Sequence, residues 1–217
     1  MSTVEATSGV AVGGRSAEWL RLARLAKLLA WISLGWLCIE GSVAVGVGLA
    51  AGSIALVGFG LDSAIEGLAS FVVVWRFSGS RTLSPSSERR AQQLVASSFF
   101  LLAPYVASEA LHALVTEHRA ETTWLGIGLA AGSLLICPGL GVAKRRIGAR
   151  LGSGATRGEG TQNLLCAGLA VGVLAGLVGN AVFGLWWLDP AVALVISAAA
   201  VQAGLAAWRG EGCDACC

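Results

Sequence analysis

From Leu28 onward, long apolar runs alternate with short polar connections. The runs cover residues 28–49, 53–74, 94–115, 124–142, 164–185 and 191–207. A helix needs about 20 apolar residues to cross the hydrocarbon core of a bilayer. The pattern therefore predicts an all-α membrane protein, a bundle of six transmembrane helices. The domain plan follows: a largely disordered cytoplasmic segment over 1–26, a transmembrane domain over 27–208, and a cytoplasmic Cys-rich tail over 209–217. The first apolar run has no clear cleavage signal, so it reads as a retained helix and not a signal peptide.

Lys and Arg sharpen this picture. Of the 15 basic residues, all but Arg119 fall on one side when the six runs alternate in direction. Basic residues concentrate in cytoplasmic loops, so both termini are expected in the cytoplasm. The expected location is a multi-pass protein of the bacterial plasma membrane. Composition agrees: 55% of residues are hydrophobic and 13% charged, against about 25% charged in a soluble domain. Mean hydropathy is +0.73. A net charge of +2 gives no support to a nucleic-acid partner. Glycines one turn apart, as in Gly48/Gly52, Gly128/Gly132 and Gly168/Gly172/Gly176, predict close helix packing inside the bundle.

Ionisable residues at membrane depth are costly, about 2.5–3.5 kcal/mol each on insertion scales. Four acids fall inside the runs: Glu40, Asp62, Glu66 and Glu109. No Lys or Arg lies deep in any run to neutralise them. Asp62 and Glu66 stand at i,i+4, so a helix places both on one face, and a cation between them would relieve their repulsion. Gln162 and Cys166 have the same spacing in the fifth run, preceded by Glu159. A thiolate is a good zinc ligand and a Gln amide oxygen a weak one.

These residues resemble the cation diffusion facilitator family of proton-coupled zinc and divalent-metal exporters. The resemblance is sharpest over 53–66, ending Asp62-Ser63-Ala64-Ile65-Glu66. It extends through Glu88-Arg89-Arg90-Ala91, through 157–166, and through Trp187-Leu188-Asp189-Pro190. It implies a cation-efflux-type transmembrane domain whose metal site falls on Asp62, Glu66, Gln162 and Cys166. Relative to the family pattern, Glu66 replaces Asp, Gln162 replaces His and Cys166 replaces Asp. The loop before the third helix and the C-terminal cytoplasmic domain are missing, which implies a divergent small bacterial branch. The implied function is export of a divalent cation, zinc first, coupled to protons, with the lipid bilayer as setting. Homodimerisation is carried by the resemblance alone. Glu40 and Glu159 are candidate proton-relay or supporting groups, and His112 with His118 a candidate exit pair.

No prosthetic group is expected. An enzyme would need a Ser/His or Cys-x-x-Cys constellation at membrane depth, and neither is present. The tail carries Cys213, Asp214, Cys216 and Cys217, a candidate for metal capture. The alternative reading uses that tail in a membrane metal sensor that does not transport.

Overall fold

The computed structural model describes residues 17–51, 54–116 and 124–210, which are helical almost throughout. Six long helices follow one another: α1 (Ala17–Ala51), α2 (Ile54–Arg76), α3 (Pro85–Val115), α4 (Trp124–Leu151), α5 (Gly154–Phe183) and α6 (Leu188–Arg209). A short 3-10 turn, Gly79–Leu83, links α2 to α3. Among the described residues, α1, α3, α4 and α6 contain stretches long and apolar enough to cross a membrane. Even α2, with 23 residues, reaches about 34 Å at the helical rise of about 1.5 Å per residue.

The helices outrun the apolar stretches at one end. The segment expected to be disordered is helical from Ala17, and α4 continues to Leu151. The added turns are held by packing: Trp19, Leu22, Ala23 and Ala26 meet Val74, Phe77 and Leu151 in one apolar cluster. Pro85 opens α3, where a missing N–H costs nothing, and the Ser84 side chain accepts from the Ser87 amide. At the far end of the chain, Gly210 adopts φ 78° and its N–H returns to Ala206 and Ala207, closing α6. Only glycine takes that left-handed conformation without strain.

The starts of α1, α3 and α5 and the ends of α2, α4 and α6 share one end of the bundle. Trp19 Nε1 donates to the Leu151 carbonyl at 3.2 Å, and Arg150 pairs with Glu18 at 2.5 Å. Gln92 Nε2 donates to the Ala207 carbonyl at 2.6 Å. The charge asymmetry of the sequence is therefore a spatial one, because the described basic residues all lie on these segments or on the turn between α2 and α3. Arg15 and Arg119 lie outside the described residues. Around the middle, Leu61, Phe71, Leu101, Leu135, Val178 and Val195 are exposed, as a lipid-facing belt requires.

Contacts are most extensive in three pairs, α1 with α2, α4 with α5, and α3 with α6. Two of these pairs close on glycine. A Cβ at Gly60 would stand 2.9 Å from the Gly41 carbonyl oxygen, and one at Gly160 would stand 2.8 Å from that of Gly141. Gly168 and Gly172 face Ile196 and Val192 of α6, while Gly132 receives the Trp36 ring. Gly128 meets nothing within 4 Å, so its predicted seam is only half used. Gly52 lies outside the described residues.

Gly160→Ala should therefore destabilise the bundle by about 1–3 kcal/mol, the usual cost of overpacking. Gly128→Ala should cost nothing. Thermal unfolding in detergent, followed by circular dichroism, checks the contrast.

Candidate cation site

Near the basic end, the core holds a buried ion-pair cluster. Lys144 of α4 is fully buried. Its ammonium donates to Glu159 Oε1 at 2.6 Å, Asn163 Oδ1 at 2.9 Å and Ser33 Oγ at 2.5 Å. An ammonium has three donors, and each finds an acceptor. Lys144 lies two residues past the fourth apolar run, so it is buried without lying deep in any run. Lys144 opens the run Lys144-Arg145-Arg146, and only its helical phase turns it inward while its neighbours stay exposed.

A second buried cation, Arg76, ends α2. Its Nε donates to Glu88 Oε2 at 2.8 Å, and its guanidinium also reaches the Arg81 carbonyl. The other Glu88 oxygen accepts from Ser153 Oγ at 2.9 Å and from the Ala155 amide at 3.2 Å. Glu88 thus sits at the N-terminus of α5, where a negative charge is favoured, and ties α2, α3 and α5 together.

Deeper in the bundle the carboxylates are treated differently. Glu40 of α1 accepts from Ser63 Oγ of α2 at 3.1 Å and from Ser133 Oγ of α4. Both of its oxygens are occupied by hydroxyls. Asp62 and Glu66 of α2 are buried as well. Asp62 Oδ1 and both Glu66 oxygens have no hydrogen-bond partner. Unpaired acceptors in such a setting are expensive, and they lie on one helix face, as the i,i+4 spacing predicts.

Across from them, α5 supplies Gln162 and Cys166, both buried. A Gln162 terminal atom lies 3.2 Å from Ser98 Oγ, and Ser98 Oγ also lies 2.7 Å from the Val95 carbonyl. A hydroxyl has one proton, and the shorter contact takes it. Ser98 then accepts from the Gln162 amide nitrogen, since the two amide atoms exchange places by a half-turn. The amide oxygen so released takes the partnerless position. Cys166 neighbours Glu66, and its sulfur lies 3.8 Å from that of Cys137 on α4.

All four residues expected from the sequence therefore lie in the core, on the facing helices α2 and α5. They are not drawn into a closed cage: among the described residues, no three His, Cys, Asp or Glu side chains converge as metal ligands. Glu159, expected as a relay, is engaged by Lys144, with its second oxygen buried and unpartnered. Glu109 and His112 are exposed on α3, so Glu109 is not a buried acid. It lies toward the end of its run, on a face turned outward. His118, Cys213, Asp214, Cys216 and Cys217 lie outside the described residues.

Sequence reasoning missed Cys137. A single Cys in an apolar run reads as core, but Ser133 and Cys137 are themselves at i,i+4. That spacing puts a Glu40 donor and a thiol on one face of α4, and it was the available signal.

Residues 30–209 match the model of the cation efflux transmembrane domain. The match covers all six helices apart from the first turns of α1.

Removing one member of a buried ion pair costs about 3–5 kcal/mol, whereas replacing both with apolar residues is often neutral. Lys144→Met should destabilise the protein on that scale by stranding Glu159. Lys144→Met combined with Glu159→Leu should recover most of the loss, as read from denaturant unfolding in micelles.

Proposed function

Because the chain belongs to the cation efflux transmembrane domain family, whose members move cations across membranes, we propose that its cargo is a divalent, zinc-like ion. The ion binds between α2 and α5, on Asp62, Glu66 and Cys166, with the Gln162 oxygen or a water as fourth ligand. One observation carries this reading. Three carboxylate oxygens of Asp62 and Glu66 are buried without a partner, while the buried cation Lys144 is spent on Glu159, Asn163 and Ser33. A divalent ion supplies the missing charge.

The proposed cycle is alternating access with both termini cytoplasmic. The ion enters from the basic end and draws the carboxylates and the thiolate together. The bundle then opens to the opposite side. There protons compete with the metal for the same ligands, because carboxylate and thiolate bind a cation only when deprotonated. Protonation releases the ion and leaves the carboxyls neutral in the core, which removes their charge penalty for the return. Export of metal and entry of protons are thereby one exchange. Glu40, held by two hydroxyls beside this site, is the supporting acid, and Glu159 helps set the entrance.

Two measurements on protein reconstituted in vesicles test the proposal. With an indicator dye inside, Asp62→Ala should abolish zinc uptake while the protein still inserts; unchanged uptake would remove the site assignment. Vesicles loaded at acidic pH should take up zinc faster than pH-matched ones. A protonophore should erase that difference, and equal rates throughout would refute proton coupling.

A further inference from the structure

The Cys137–Cys166 pair is placed for more than packing. The two thiols come from different helices, both are buried, and their sulfurs stand 3.8 Å apart. Two thiolates bound at about 2.3 Å to one tetrahedral zinc ion stand about 3.8 Å apart. A disulfide would need about 2.05 Å. The spacing is that of an S–H···S hydrogen bond, and it equally fits two ligands on one metal. Beside Cys166, the Glu66 carboxylate is buried with 2% exposure, and its oxygens have no polar partner besides that neighbouring thiol.

Resting on the reading of the chain as a cation carrier, we propose that Cys137 is a ligand of the transported ion, pairing with Cys166 to make the site selective for soft divalent cations. Two sulfurs and a carboxylate favour Cd²⁺ and Zn²⁺ over Mn²⁺, which prefers an all-oxygen shell. Each thiol loses its proton to solvent as it coordinates. The arrangement also brings α4 into the site. Glu40 already joins α4 through Ser133, so one face of α4 links the acid of α1 to the thiol of α5. Closure of a loaded site would then require the α4–α5 pair to approach α2, since the described side chains do not yet meet as a cage.

The test uses the full chain with Cys38, Cys213, Cys216 and Cys217 replaced by Ser, which leaves two of the six cysteines. Cd²⁺ is titrated into the purified protein, and the ultraviolet cadmium–thiolate charge-transfer band is followed. The parent should show two thiolates per ion. Cys137→Ser should remove roughly half of the band and weaken Cd²⁺ binding about tenfold or more, since even groups outside the ligand shell cost about 10–100-fold. Cys137→Ala should do the same, and unchanged helical ellipticity reports that both variants fold. In vesicles, the ratio of Cd²⁺ to Mn²⁺ uptake should fall in both variants. A full band and unchanged affinity in Cys137→Ser, with loss only in Cys166→Ser, would overturn the assignment of Cys137 and leave the carrier standing. Absence of any divalent flux in the parent would overturn the carrier reading, and the proposal with it.

Discussion

An ionised group inside a lipid-embedded bundle must find its counter-charge within a few ångströms, and this chain meets that constraint differently at two depths. Near the basic end, Lys144 and Glu159 neutralise each other, and Asn163 and Ser33 complete the ammonium's hydrogen bonds. Farther in, Asp62 and Glu66 share a face with no cation and with three bare oxygens. The first arrangement carries its own counter-charge, although one Glu159 oxygen stays buried without a partner. The second has no counter-charge of its own, and in the proposed function a bound cation supplies it.

The packing explains why the incomplete site lies where it does. Gly41 and Gly60 draw α1 against α2, and Gly141 and Gly160 draw α4 against α5. Each pair behaves as a tightly joined unit with little side-chain bulk between its axes. The polar residues collect along the seam between the two units, where Glu40 bridges them through Ser63 and Ser133. In the proposed carrier this seam is the one that changes as access switches. A site spanning it feels any relative motion, whereas the Lys144 cluster, mostly within the α4–α5 unit, holds the entrance in place.

Much of this was legible in the chain because a membrane imposes strong, simple rules. Helix number followed from run length, and the common end of the bundle from the placement of Lys and Arg. The Asp62–Glu66 face followed from i,i+4 spacing. What escaped had a physical reason in each case. Lys144 stands in a basic run whose exposed members mask it, and only helical phase separates it from Arg145. Cys137 is apolar enough to pass for core, and its partner is 29 positions away on the next helix. Glu109 sits in an apolar run yet faces outward, because run membership says nothing of azimuth. The helices also outlast their apolar stretches, since backbone hydrogen bonding continues wherever side chains such as Trp19 find a surface to pack on.

The central claim is that the bare carboxylates of α2 and the thiol of α5 hold one cation between them. Anomalous diffraction from crystals of the zinc-loaded protein tests this most directly. The account predicts a zinc peak in the bundle core between Asp62, Glu66 and Cys166, with a mixed oxygen and sulfur shell. A core without zinc, in a protein whose only bound metal sits elsewhere on the chain, would contradict it.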